Sequence, residues 1–320
     1  MITVPATSGP EAFVHPALFY EDLAEYVSGV GGFVRTALAA DEPVLVAVPG
    51  PHLDALRENI GASGTDVVWT DMTELGRNPG RILAALQDFA DRHPGRAARL
   101  VGEPIWPGRS PAEVLEATRH EALINTAFAG RTATVLCPYD VRGLAPSVVA
   151  DARRTHPTLI ERGTDLSSPG YTDASVVSAD CDLPFPEPVG DVLRLDYGRG
   201  ELGEVRTHAE NWARGTALTA ERRGDLVLAV SEAAANSLAH GGGKGTLRMW
   251  TDSGAGPYAA VVAEVQDAGR LADPLAGRRR PSLVSTHGGR GLWMIHQVCD
   301  LVEVRATDVG LTLRLHMATP

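Results

Sequence analysis

The chain has 320 residues, enough for two domains of ordinary size, each with its own core. Apolar residues make up 44% and charged residues 22%, the balance of a globular protein and not of a disordered or fibrous one. A net charge of −11 repels a phosphate backbone, which argues against direct nucleic-acid binding as the main task.

Residues 13–165 alternate between helical and strand-like patterns. The spacing predicts a helix over 19–40, with Leu23, Tyr26, Val27, Val30, Phe33, Val34 and Leu38 on one face. A short apolar run over 43–48 predicts a buried strand. Further helices are expected over 53–60, 79–92 and 111–127, and further strands over 66–70, 98–102 and 132–137. This βαβα rhythm predicts a mainly parallel α/β sheet covered by helices, spanning 1–165. It contains no GxxxxGK[ST] sequence, so no phosphate-binding P-loop is expected.

Residues 166–190 change character. Pro184, Pro186 and Pro188 fall within five residues, a density that disfavours helix and central strand, so the segment reads as a Pro-rich linker. A second pattern occupies 191–320. Strands are expected over 192–197, 246–251, 258–266, 301–306 and 312–316, and helices over 202–216 and 226–240. A Gly-rich turn at 288 leads into a further helix.

Cys137, Cys181 and Cys299 are scattered, with no CxxC or Cys/His spacing of a zinc motif and no disulfide framework. That usage suits a reducing cytoplasm. Met1–Ala6 lacks the basic stretch and long apolar core of a signal peptide, and no apolar run reaches the ~18–20 residues of a membrane helix. The expected localisation is cytoplasmic, without membrane contact.

Chemistry concentrates in the second half. Glu232, Asn236 and His240 stand at i, i+4 and i+8 and so share one helix face, while Val227, Val230, Ala234 and Leu238 form another. Asp267 and Gly269 follow the end of a strand. Gly289, Arg290, Gly291 and Leu292 open a helix, where backbone N–H groups suit phosphate. Singly, each of these is an ordinary helix face or turn; their occurrence together, in this order, carries the resemblance described next.

In order and spacing these elements resemble the GHKL (Bergerat) ATPases, and within them the anti-sigma-factor serine kinases. The E-x-x-x-N helix is matched by Glu232 and Asn236, the D-x-G box by Asp267 and Gly269, and the G-x-G-L box by Gly289, Arg290, Gly291 and Leu292. The Asn-x-x-x-His-Gly ending from Asn236 to Gly241 belongs to the same subgroup. The resemblance implies a two-layer α/β sandwich that binds ATP and Mg²⁺. Asn236 would give a carbonyl oxygen to Mg²⁺, Glu232 would act as the catalytic base, and Asp267 would be a buried acceptor for an adenine amino group. Gly269 would let the backbone approach the base, and Gly289 and Gly291 would let the chain close over phosphates. His240 has two readings, contact with the nucleotide or capping of its helix. The stretch 270–287, with Arg278, Arg279 and Arg280, would be a mobile lid, its arginines either binding phosphate or solvated.

The first half resembles the MEDS family of sensory domains. The residues that carry this are His15–Tyr20, Gly102–Pro107, Arg119–Asn125, Cys137–Asp140 and Thr155–Pro157. The resemblance implies a fold related to P-loop ATPases that lacks their phosphate loop. His15, Tyr20, Glu103, Trp106, Glu121 and Tyr139 are the polar and aromatic candidates for a sensory ligand, each weighed against a role in packing.

The expected function is an anti-sigma-factor serine/threonine kinase. Its N-terminal domain would sense a small-molecule signal. Its ATPase domain would phosphorylate an anti-sigma antagonist or sequester a sigma factor, and a homodimer would fit the subgroup. Two alternatives stand beside it. A sensor histidine kinase would need an acceptor histidine, for which only the His120–Glu121 pair has the right look. A non-catalytic module would keep nucleotide as a conformational ligand alone.

Overall fold

A computed structural model describes residues 13–252, 259–281 and 290–319. The chain divides into two compact units, residues 1–109 with 117–178, and residues 110–116 with 179–320.

The first unit holds a seven-stranded sheet. Its strands are β1 (Pro16–Tyr20), β2 (Val44–Val48), β3 (Val67–Asp71), β4 (Ala98–Gly102), β5 (Ala133–Asp140), β6 (Thr158–Glu161) and β7 (Thr164–Ser167). Their order is β3-β2-β4-β5-β1-β6-β7, and every neighbouring pair is parallel except β6–β7. The helices are α1 (Leu23–Ala39), α2 (Gly50–Ile60), α3 (Met72–Leu75), α4 (Ile82–Asp91), α5 (Pro111–Ala127), α6 (Pro146–Thr155) and α7 (Ala174–Asp180), of which the start of α5 through Glu116 and the end of α7 from Ala179 belong to the second unit. Every residue of β1 and β2 is buried, as expected where helices cover both faces of a parallel sheet.

Two expectations change here. The helix expected from residue 19 starts at Leu23, because Phe19 and Tyr20 belong to β1, between β5 and β6. Asp22 sets the boundary: its side chain caps α1 by accepting from the Glu25 N–H at 2.9 Å. The segment 166–190 is not wholly a linker. It begins with the end of β7 and contains α7, a stretch without proline or glycine that Asp173 starts by accepting from the Ser175 N–H at 2.8 Å. Also unforeseen are α6 and the hairpin β6–β7, whose turn places Arg162 and Gly163 at φ 50° and 76°.

The second unit is a two-layer α/β sandwich. Its strands are β8 (Leu193–Gly198), β9 (Lys244–Asp252), β10 (Ala260–Asp267), β11 (Leu301–Thr307) and β12 (Gly310–Ala318), antiparallel in the order β11-β12-β10-β9-β8. Helices α8 (Leu202–Ala213), α9 (Ala220–His240) and α10 (Arg290–Val298) cover one face. Val205, Val230, Ala234 and Ile295 pack there against Leu247, Val261, Val265 and Leu315.

The other face is charged. In one cross-strand row Arg248 stands opposite Glu264, Glu264 opposite Arg314, and Arg314 opposite Glu303, so signs alternate across four strands. The proline-dense stretch lies over this row. Arg305 donates to Leu183 O at 3.0 Å and Arg314 to Pro186 O at 2.6 Å. The Phe185 ring sits 4.4 and 4.1 Å from their two guanidinium carbons. The aromatic cover helps explain why Glu264, Glu303, Arg305 and Arg314 are buried and yet paired.

Candidate functional site

Helix α9 is the frame of the site in the second unit. Thr219 caps it by accepting from the Arg222 N–H at 3.3 Å. Its buried side is mostly small (Ala229, Ala233 and Ala234), which lets the helix lie close to β9, β10 and β12. Glu232 and Asn236 are half-buried on its other side. The first turn of α10 passes over them. A Cβ on Gly291 would fall 2.9 Å from Glu232 Oε2 and 3.3 Å from Asn236 Nδ2, so only glycine permits this approach without displacing a side chain. Asn236 Nδ2 is buried without a hydrogen-bond partner among the described residues. A polar atom desolvated in this way suits an incoming ligand group.

Asp267 closes β10 directly beside α9. Ser237 Oγ donates to its Oδ2 at 2.6 Å, and the Gly269 N–H donates to its Oδ1 at 2.6 Å. Each oxygen keeps a free lone pair. The carboxylate is half-buried, not buried as expected, because it stands at the strand end facing a cleft. Gly269 packs tightly there: a Cβ would lie 3.2 Å from His240 O.

The cleft measures 190 Å³. Asn236, His240, Asp267, Gly269, Gly291 and Leu292 all line it, and Leu271, Leu311 and Leu313 supply apolar wall. The three sequence boxes, spread over some sixty residues, thus meet at one cavity. Glu232 is reached at its edge, beneath Gly291. Arg290 is exposed and is not part of the lining, and Gly289 lies outside the described residues. The lid expectation is corrected in part. Arg278 is neither solvated nor at the cleft but buried, and it donates to Glu116 Oε2 at 2.7 Å. Residues 282–287 of the expected lid lie outside the described residues.

In the first unit the six candidate sensory residues separate into two groups, with Trp106 in neither. Tyr20 is the last residue of β1 and Glu103 directly follows β4, at the carboxyl edge where open α/β sheets bind ligands. Glu103 is buried and accepts from Tyr20 Oη at 3.2 Å and Tyr26 Oη at 3.1 Å, and His52 Nδ1 stands 2.9 Å away. Burial pushes the Glu103 carboxyl up. Burial draws the His52 imidazole down, but the Glu103 carboxylate outweighs it and raises it above 6.5. Trp106 instead holds the Arg109 guanidinium over its ring at 4.2 Å, a packing role.

His15, Glu121 and Tyr139 meet in a second buried group, together with Cys137 and His156. His15 Nε2 lies 3.2 Å from Glu121 Oε2. The partners not singled out from sequence are Tyr26, His52, Asn125, Cys137 and His156. Asn125, Cys137 and His156 fall inside the family-like blocks quoted above, and that was the signal available for them. Tyr26 had the periodicity of a core residue.

Comparison with known families agrees with both units. The model of the MEDS family (MEthanogen/methylotroph, DcmR Sensory domain) matches residues 14–157, and that of the histidine kinase-like ATPase domain matches residues 199–317. No curated protein matches the chain. The chain joins an N-terminal MEDS domain to a C-terminal ATPase domain of the histidine kinase-like, GHKL type.

Proposed function

We propose that this is a regulatory ATP-dependent protein kinase of the anti-sigma-factor type, which phosphorylates a serine or threonine on an antagonist protein or sequesters a sigma factor. The observation that carries the proposal is the meeting of Asn236, Asp267, Gly269 and Gly291 at one cleft, with Glu232 at its edge. The residues fit Mg-ATP: an orphaned buried amide at Asn236, an acceptor with spare lone pairs at Asp267, and a glycine where a Cβ would collide. Bound there, ATP would supply the phosphoryl group. Asn236 would hold the metal through its carbonyl oxygen and Asp267 would accept from the base. Leu271, Leu311 and Leu313 would exclude water, and Glu232 would take the proton from the attacking hydroxyl.

Two observations favour a hydroxyl over a histidine as acceptor. His120 is buried within α5, and its neighbour Glu121 is engaged with His15, so no kinase could reach it in the folded domain. Among the described residues, the stretch between α7 and β8 holds no helical hairpin that could present another. The N-terminal domain would bias this activity through a signal bound at the Tyr20–Glu103 edge of its sheet.

The test mixes the purified chain with Mg-ATP labelled at the γ-phosphate and candidate antagonist proteins. Acid-stable label on an antagonist serine or threonine, absent with Glu232→Gln, is expected. No transfer and no sigma-factor complex with any candidate would refute the proposal.

A further inference from the structure

The group formed by His15, Glu121, Cys137 and His156 has the geometry of a coordination shell. Each residue offers one ligand atom, and these atoms all lie within 4.8 Å of one another. Four of the six edges are known individually. His15 Nε2 and His156 Nε2 stand 3.2 and 3.3 Å from Glu121 Oε2. Cys137 Sγ stands 3.3 Å from Glu121 Oε2 and 3.4 Å from His15 Nε2. A tetrahedral ion with bonds of ~2.0–2.3 Å has donor–donor edges of ~3.3–3.7 Å, close to these values.

The surroundings fix the tautomers. Asn125 donates its Nδ2 to Thr155 O at 2.8 Å, which turns its Oδ1 toward His15 Nδ1 at 3.1 Å. His156 Nδ1 lies 2.8 Å from Ala152 O. Each Nδ1–H is therefore a donor, and in the neutral ring each Nε2 turns its lone pair into the group, the outer arrangement that metal-bound histidines show.

Without a cation the arrangement is incomplete. Two imidazole lone pairs and a carboxylate face one another, with one thiol proton to share among them. His156 Nε2 and Glu121 Oε1 have no hydrogen-bond partner among the described residues.

We propose that His15, Glu121, Cys137 and His156 bind one divalent transition-metal ion of the zinc class in a closed, four-coordinate site inside the MEDS domain. Two imidazoles, one carboxylate and one thiolate suit a borderline-soft ion, and the two anionic ligands cancel its charge, as full burial requires. On binding, the Cys137 S–H bond breaks, a sulfur–metal bond forms and the proton passes to solvent. No electron is exchanged. The ion fastens β1, α5, β5 and the α6–β6 junction at one point.

The proposal is independent of the nucleotide site. Its test uses the full chain, stripped of metal and refilled with Co²⁺. One equivalent per chain is expected, with a thiolate-to-cobalt charge-transfer band and the intense visible bands of tetrahedral Co²⁺. Cys137→Ser should lose the charge-transfer band. Asn125→Ala, outside the ligand set, should keep it and bind ~10–100-fold more weakly. A folded wild-type chain that takes up no Co²⁺ or Zn²⁺, or one whose Co²⁺ spectrum lacks the thiolate band, overturns the proposal. The wild-type spectrum decides even if the serine variant fails to fold.

Discussion

Gly291 shows how narrowly single positions are constrained. Alanine there favours the helix by roughly 1 kcal/mol but sets a methyl group 2.9 Å from Glu232 Oε2, which must swing away. Gly291→Ala is expected to leave the thermal midpoint unchanged or raised while phosphotransfer falls at least tenfold, read by a melt and a transfer assay on the same sample. His52 carries a pH dependence. Its imidazole is raised above 6.5 once folded, so its protonation stabilises the domain below pH 6.5, and that contribution is lost as pH rises through the raised value. The stability gap between wild type and His52→Gln should therefore shrink as pH rises above 6.5, in denaturant melts of the full chain. A constant gap would show that the ion pair with Glu103 is not formed. At this scale the residues that meet at the cleft were readable, because Glu232 and Asn236 stand one helical turn apart and Asp267 stands at the end of a strand. The His52–Glu103 and His15–Glu121 pairs were not, since 51 and 106 residues separate the partners and no short-range period connects them. For the same reason the absence of a zinc spacing in the sequence says nothing against four ligands that only the fold brings together.

Elements were predictable where apolar period and length agreed. Helix α5 was expected over 111–127 and runs Pro111–Ala127. The errors arose where a local signal competed. Residues 19–20 have a place in the helical period of α1, but the Asp22 cap and the buried ladder with β5 and β6 claim them for a strand. The prolines at 184–188 were read as a linker, but composition could not show that this stretch lies on a charged sheet face. Phe185 holds that arrangement through two guanidinium contacts. Phe185→Ala should cost the ATPase domain ~1–3 kcal/mol, seen as a lowered thermal midpoint, with nucleotide affinity unchanged because the cleft lies on the helical side of the sheet. A loss of affinity equal to the loss of stability would mean that the two faces of the sheet are coupled.

The whole molecule carries a sensory domain and an ATPase domain, each with a polar group set into its own core. Nothing in the described helices is long and apolar enough to cross a membrane. The proposed nucleotide site is the cleft beneath Gly291. Equilibrium titration of the full chain with ATP, with and without Mg²⁺, tests it most directly. Wild type and Glu232→Gln should both bind in a Mg²⁺-dependent manner, and Asn236→Ala should lose that dependence along with at least tenfold in affinity. Binding by Asn236→Ala that matches wild type at every Mg²⁺ concentration, or no binding by wild type, would contradict the account.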